Sequence, residues 1–150
     1  MTKLASAFGD TTSLKTKTFE LGGHTFKVRV PLSKEMDAIQ ERVSTLSQEI
    51  LLSRFNKMTQ AFRESQSENV TITDDDVIVD GRSSKELVET VYRMENRITE
   101  YVKLLIPENG TLDDLTYEDI ENEWPLQVQF ELLEKIVNAI QPGYKDTRKN

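Results

Sequence analysis

The sequence predicts a mainly α-helical protein, a helical bundle with one small N-terminal β-hairpin. Two observations lead to this prediction. Apolar and polar residues alternate in "TFELGGHTFKVRV", as they do in a half-buried two-stranded hairpin. Later segments repeat apolar residues every three or four positions, as amphipathic helices do. The chain has 150 residues, which is long enough for one domain with a sizeable core.

The hairpin is centred on Gly22-Gly23, because a two-residue glycine loop supplies the positive φ angles of a tight turn. In this register Phe19 lies opposite Phe26 and Leu21 lies opposite His24. A lone two-stranded hairpin is marginally stable in water. We therefore expect the helices, or another copy of the protein, to cover its apolar face.

The first long helix is expected near residues 34 to 62 and carries two apolar stripes. The first stripe contains Met36, Ile39, Val43, Leu46 and Ile50. The second stripe contains Leu51, Phe55, Met58 and Phe62. The second is rotated by about a third of a turn from the first. Either the helix breaks near residues 50 to 53, or one long helix packs against two different surfaces.

Residues 63 to 84 are polar and acidic, and we expect a loop with one short apolar element, Val77 to Val79. A second long helix is predicted near residues 84 to 106, with Ser83 and Glu86 as a capping box. Its regular apolar repeat predicts a core face. That face contains Leu87, Val91, Met94, Ile98, Tyr101 and Leu105.

A last long helix is predicted near residues 125 to 140, with Pro125 in its first turn. Thr116 is expected to cap a short helix before it. The apolar stripe of the last helix contains Leu126, Phe130, Leu133, Val137 and Ile140. These elements predict a single helical domain over residues 16–143, between flexible tails at residues 1–15 and 144–150.

The charge balance restricts the class of partner. The net charge is −7, so the chain should repel the phosphate backbone of nucleic acids and favour basic partners. The absence of cysteine excludes disulfides and thiolate metal sites. No signal peptide and no run of about 20 apolar residues is present, so we expect a cytosolic protein without a membrane span.

No residue pattern indicates catalysis, and the sequence predicts neither an enzyme nor a metal or cofactor site. His24 lacks a visible catalytic partner and is expected to be a turn or cross-strand residue. A calcium loop at Asp74 to Gly81 would place Ile78 and Leu87 at ligand positions. An acidic solvated loop or a helix N-terminus is the better interpretation of this stretch. The carboxylates between Asp113 and Glu123 are expected to form a solvated face, with a surface for a basic partner as the functional alternative.

The candidate partner-binding residues are Leu51, Phe55, Met58, Phe62 and Trp124. Methionine and phenylalanine form adaptable contact surfaces, although the stripe that they belong to can equally be core. Trp124 precedes a helix entry and either staples onto that helix or anchors a partner.

Two segments, "FELGGHTFKVRVPLSKEMDAI" and "NEWPLQVQFELLEKIVNAIQPGYKDTRKN", together with the acidic helical middle, resemble the tail assembly chaperones of long-tailed bacteriophages. This resemblance implies a non-catalytic protein of the host cell cytoplasm that binds the tape measure protein and helps tail tube subunits to polymerise around it. It also implies absence from the mature virion. A homo-oligomer is left open.

Many members of that family are made in two lengths by a ribosomal frameshift near the end of the shorter reading frame. An adenine-rich run can encode Arg148-Lys149-Asn150, so these residues are either a frayed basic tail or the product of a slippery RNA sequence. The main alternative function is an acidic helical regulatory protein, a DNA mimic or adaptor that occupies a basic partner.

Overall fold

The computed structural model describes residues 2–64 and 68–141. This part of the chain is mainly helical, which confirms the predicted class, and its N-terminal sheet is the expected hairpin. Its helices are α1 (Lys3–Phe8), α2 (Ser33–Ser44), α3 (Gln48–Glu64), α4 (Ser84–Val102), α5 (Tyr117–Glu123) and α6 (Leu126–Ile140). Its strands are β1 (Thr16–Leu21), β2 (His24–Arg29), β3 (Val70–Ile72), β4 (Val77–Val79) and β5 (Arg82–Ser83). The arrangement of the helices as a bundle stays a prediction.

The described chain divides into two compact units. The first unit contains residues 2–39 and 98–141, and the second contains residues 40–64 and 68–97. The predicted domain of residues 16–143 therefore contributes to both units. The predicted N-terminal tail contains α1 and a 3-10 turn, Thr12–Lys15, although neither element has a buried residue. The predicted tail at residues 144–150 lies outside the described residues.

The hairpin of the first unit has the predicted register. Phe19 pairs with Phe26 and Leu21 pairs with His24. The two phenylalanine rings are stacked, with their centroids 5.4 Å apart. Gly22 takes a φ of +60°, a left-handed conformation that glycine adopts at little cost. The cross-strand ring pair and the turn therefore specify the same register.

The hairpin is covered within its own unit. α6 packs against both strands. The segment after α4 extends the sheet on the β2 side, where Arg29 N–H donates to the Leu104 carbonyl (2.9 Å) and Ile106 N–H donates to the Lys27 carbonyl (2.8 Å). The expectation that helices cover the hairpin is confirmed, and its most buried residue, Val28, is fully enclosed.

The predicted helix of residues 34 to 62 is in fact two helices, α2 and α3. The break lies at residues 45–47, before the predicted position of 50 to 53. The Thr45 hydroxyl donates to the Glu41 carbonyl (2.8 Å) at the end of α2. The Ser47 hydroxyl accepts the Ile50 N–H (3.4 Å) at the start of α3, which is an N-cap contact. The serine therefore starts a new helix just before the second stripe.

The second unit contains a three-stranded antiparallel sheet in which β4 lies between β3 and β5. Only the β4 segment was predicted from the sequence, as a short apolar element in a loop. The sheet is part of a small core that also includes residues of α3 and α4. The buried members of this core are Leu51, Phe55, Val77 and Val88.

The predicted core face of α4 is only half correct. Ile98, Tyr101 and Leu105 are buried in the first unit. In the second unit, Leu87, Val91 and Met94 are 52%, 45% and 40% exposed. The buried residues of α4 there are Ser84 and Val88, which lie on a different side of the helix.

The predicted stripe of α6 is rotated by about one residue from the observed core face. Leu126 and Phe130 are exposed, and Leu133, Val137 and Ile140 are half-buried. The buried residues are Gln129, Leu132 and Ile136. The prediction counted apolar side chains, and a buried glutamine does not appear in such a count. No helix in the described residues is long and apolar enough to cross a membrane.

Candidate partner-binding surfaces

The acidic stretch before α4 forms a helix cap. The Ser83 hydroxyl accepts the Glu86 N–H (3.1 Å), which confirms Ser83 as the cap residue. The same hydroxyl donates to the Asp76 carboxylate. That carboxylate also accepts the Lys85 N–H (3.0 Å) and the Val77 N–H (2.7 Å). Asp76 therefore supports the helix N-terminus, which is one of the two roles expected for this stretch.

Burial raises the pKa of Asp76, but hydrogen bonds from Ser83 and from the Lys85 and Val77 amides outweigh burial, and the pKa falls below its ordinary value of 3.8. Within residues 2–64 and 68–141, no group of three or more acidic or histidine side chains is placed to hold a metal ion. The His24 ring packs edge-on against Phe26 of the same strand, with the centroids 4.6 Å apart, and His24 pairs across the hairpin with Leu21, as predicted for a cross-strand residue.

The second stripe lies in the second unit and contributes to its core. Leu51 and Phe55 are each 9% exposed and belong to the buried cluster. Met58 and Phe62 pack against that cluster and remain half-buried. Their role in partner binding stays a prediction. Met58 and Phe62 are therefore the accessible half of the second stripe.

The accessible half lines a cleft of about 560 Å³ together with Val79 and Leu87. Leu87 also begins the exposed half of the α4 stripe, which continues through Val91 and Met94. We call the apolar residues of this cleft, together with Val91 and Met94, the apolar face of the second unit. Its members are Met58, Phe62, Val79, Leu87, Val91 and Met94.

Leu51 and Phe55 line a different cleft of the second unit, with a volume of about 490 Å³. The exposed side chain of Leu52 lies beside them. Carboxylates and cations both surround this cleft, including Asp74, Glu89 and two basic residues. The second stripe is therefore divided between two clefts. The cleft at Leu51 and Phe55 is lined by both acidic and basic side chains.

The first unit contains a larger cleft of about 750 Å³, which we call the acidic cleft. Its lining is mostly apolar. The apolar residues are Phe26, Val102, Leu105, Ile106, Pro107, Leu112, Leu115, Ile120 and Trp124. Three carboxylates, Glu108, Asp119 and Glu123, also line it, together with the side chains of His24 and Lys27.

Trp124 is held in this cleft by a buried polar network. Gln129 is 2% exposed, and its amide nitrogen donates to the Trp124 carbonyl (2.9 Å). The Tyr117 hydroxyl donates to the amide oxygen of Gln129 (2.7 Å). α5 is fixed at its other end by the predicted Thr116 cap, which forms a capping box with Asp119. Trp124 thus lies at a well-defined junction between α5 and α6.

Sequence reasoning missed the acidic cleft because its lining comes from separate segments that only the fold brings together. The closest signal in the sequence is charge, because residues 108–134 hold nine carboxylates and no lysine or arginine. The predicted residue Trp124 does line the cleft. The other four predicted partner-binding residues lie in the second unit.

Comparison with known proteins gave no match to a protein-family model, to a curated protein or to a solved structure.

Proposed function

We propose that this chain is a non-catalytic tail assembly chaperone that binds a long, helical tape measure protein and assists polymerisation of the tail tube subunits. On this proposal it acts in the host cell cytoplasm and is absent from the mature virion. The resemblance of its hairpin segment and its last helix to that family supports the proposal. One structural observation supports it further, namely the apolar face of the second unit.

That face has the geometry of a helix-binding surface. Leu87, Val91 and Met94 follow one another at i, i+4 and i+7, the spacing at which two helices meet along one side. Contiguous apolar surface of this kind on a folded protein often marks a binding site. Met58 and Met94 add flexible side chains that can adjust to different sequences along a long client.

The charge of the chain is compatible with this role. A tape measure protein is long and prone to aggregate before the tube covers it, so a chaperone for it must stay in solution while it offers apolar contacts. The net charge of −7 favours solubility. Trp124, in the first unit, remains a second predicted contact.

The experiment is co-expression with the candidate tape measure protein encoded near this gene. The wild-type chain should keep that protein in the soluble fraction and co-purify with it. The double variant Leu87→Asp with Val91→Asp should lose both effects while it retains its helical circular dichroism, because both side chains are exposed. The matched control is Leu32→Asp, an exposed leucine of the first unit.

A second variant, Leu52→Asp, tests the other cleft of the second unit. Loss of co-purification with Leu52→Asp and retention with the double variant would move the binding site to that cleft. Retention in every variant would reject the second unit as the binding surface. Failure of the wild-type chain to bind would reject the proposed function.

The two-length product of the family is a separate part of the proposal. Residues 148–150 lie outside the described residues, and the gene supplies the test. We expect an adenine run at these codons and an overlapping open reading frame beyond them. An interrupted run removes the frameshift proposal and leaves the chaperone proposal intact.

The alternative function is a regulatory protein that occupies a basic partner. Residues 108–134 favour it, because their nine carboxylates are not offset by any basic side chain within the segment. Salt distinguishes the two functions. Binding to a basic partner through charge should weaken steeply as ionic strength rises, whereas binding of a helix to the apolar face should change little.

A further inference from the structure

The N-terminal segment contains a short helix, α1, whose apolar side chains are exposed. α1 has six residues and none of them is buried. Leu4 is 67% exposed and Phe8 is 74% exposed, and they lie one turn apart on the same face. Leu14 follows at 78% exposed. These are three of the most exposed large apolar side chains in the described chain. We call residues 2–15 the arm.

α1 is capped at both ends even though none of its residues is buried. The Thr2 hydroxyl accepts the Ala5 N–H (3.1 Å), and the Gly9 N–H donates to the Ala5 carbonyl (2.9 Å). A helix of this length is marginal in water, since nucleation is costly and short helices depend on packing. A surface that receives Leu4 and Phe8 would supply this missing packing.

The arm is basic and the acidic cleft carries the opposite charge. Lys3 and Lys15 belong to the arm, and the carboxylate of its one acidic residue, Asp10, accepts hydrogen bonds from Thr12. The cleft contains three carboxylates and one lysine, Lys27. The wider segment around it, residues 108–134, contributes nine carboxylates. They are Glu108, Asp113, Asp114, Glu118, Asp119, Glu121, Glu123, Glu131 and Glu134.

The cleft also matches the arm in size and apolar character. Its volume of about 750 Å³ is within the range of pockets that enclose several apolar groups. Most of its lining side chains are apolar, with Phe26 and Trp124 among them. Aromatic residues beside carboxylates can accept leucine and phenylalanine side chains while nearby lysines pair with the rim.

The arm does not line the cleft of its own copy, which leaves that cleft open to the arm of another copy. The arm joins β1 at Thr16, which pairs with Arg29 at the open end of the hairpin. The cleft is lined by His24 to Lys27, the half of β2 nearest the turn. No arm residue lines the cleft in the structure. The arm therefore leaves the hairpin at the end away from the turn.

We propose that the arm of one copy binds in the acidic cleft of a second copy. Two copies can exchange arms reciprocally, which gives a closed two-fold dimer, or each copy can bind the arm of the next, which gives a ring or an open chain. This inference does not depend on the proposed function, since it requires only the chain itself.

The test uses the full chain in sedimentation velocity over a concentration range from about 1 μM to about 1 mM, where weak interfaces dissociate. The wild-type chain should form dimers or larger species as concentration rises, and the emission of Trp124, the sole tryptophan, should change in parallel. The arm variant Leu4→Asp with Phe8→Asp should need at least about tenfold higher concentration to associate. The cleft variant Glu108→Lys with Glu123→Lys should behave in the same way.

Mixing the two variants gives the decisive result. The cleft variant has an intact arm and the arm variant has an intact cleft, so the mixture should form a one-to-one dimer and no larger species. The matched control is Leu32→Asp, an exposed leucine outside both surfaces, which should associate as the wild-type chain does. Circular dichroism of each variant checks that its helices remain.

A wild-type chain that is monomeric throughout the range overturns the proposal. In that case, altered Trp124 emission in the arm variant would show instead that the arm occupies the cleft of its own copy. A mixture that stays monomeric, or variants that still form large assemblies, also overturn it. Tape measure binding is measured separately, so a negative result here leaves the proposed function standing.

Discussion

The two halves of α4 carry one uninterrupted apolar repeat, yet the repeat is buried in one half and exposed in the other. In the first unit, Ile98 and Tyr101 are buried. In the second unit, Leu87 and Val91 are about half exposed, at 52% and 45%. The comparison shows that a regular repeat identifies an apolar face of a helix without identifying what covers it.

The difference follows from which side of α4 meets a core. Within the second unit the packed residues are Ser84 and Val88, and Val88 lies about 100° around the helix from Leu87. Arg54 stacks on the ring of Tyr92, with 4.8 Å from its guanidinium carbon to the ring centroid, and its guanidinium pairs with Glu95 at 2.7 Å. Because the second unit packs against the Ser84 and Val88 side of α4, the Leu87 and Val91 side of the helix faces away from the core of that unit.

The largest expected loss of stability distinguishes the buried half of α4 from the exposed half. Ile98→Ala should lower the free energy of unfolding by about 2–5 kcal/mol, because Ile98 is fully buried and truncation leaves a cavity. Leu87→Ala should change it by no more than about 0.5–1 kcal/mol, as surface substitutions do. Denaturant unfolding measures both. Equal losses would mean that the first half of α4 is covered in solution.

An intermediate effect is expected at the start of α4. Asp76→Asn should lower the stability of the second unit by about 1–2 kcal/mol at neutral pH, because a charged helix cap is lost. Since the folded-state pKa of Asp76 is lowered, this stabilisation is complete above the ordinary, unfolded-state pKa of 3.8 and is lost as the pH falls through the folded-state pKa.

The difference between wild type and Asp76→Asn should therefore shrink below about pH 4. Thermal unfolding at a series of pH values measures it. Asp75→Asn is the matched control, because Asp75 is an exposed neighbour. A difference that persists unchanged at low pH would contradict the role of the Asp76 carboxylate.

The smallest change in the free energy of unfolding is expected at Met94, the last residue in the exposed half of the α4 repeat. Met94→Gln exchanges two side chains of similar helix propensity, so it isolates the contribution of apolar contact. We expect a change within about 0.5 kcal/mol in denaturant unfolding, as for other exposed positions. A larger loss would show that Met94 is packed in solution.

Some elements could be predicted because local chemistry determines them. The Gly22-Gly23 turn and the facing rings of Phe19 and Phe26 set the hairpin register without help from the rest of the chain. Ser83 and Thr116 begin helices through their own hydroxyls. These contacts span only a few residues, so a single sequence is enough to identify them.

Other elements have a signal that is too short for a periodic pattern or that is divided among separate segments. β3 and β5 have three and two residues, and of this sheet only the β4 segment is predicted from the sequence. The change of stripe predicts the break before α3 several residues late, because the Ser47 cap that starts the helix precedes the second stripe. The acidic cleft joins residues from β2, α4, α5 and the connecting loops, which no local pattern connects.

Gln129 influences which face of α6 is buried. The face through Leu126, Phe130 and Leu133 is more hydrophobic than the face that is buried, so hydrophobicity alone would favour a helix turned by about one residue. Such a turn would take the Gln129 amide away from the Tyr117 hydroxyl and the Trp124 carbonyl, and a buried polar group that is left without its partner costs about 1–3 kcal/mol. One polar side chain thus selects between two competing orientations of the same helix, and its replacement by leucine would remove that selection.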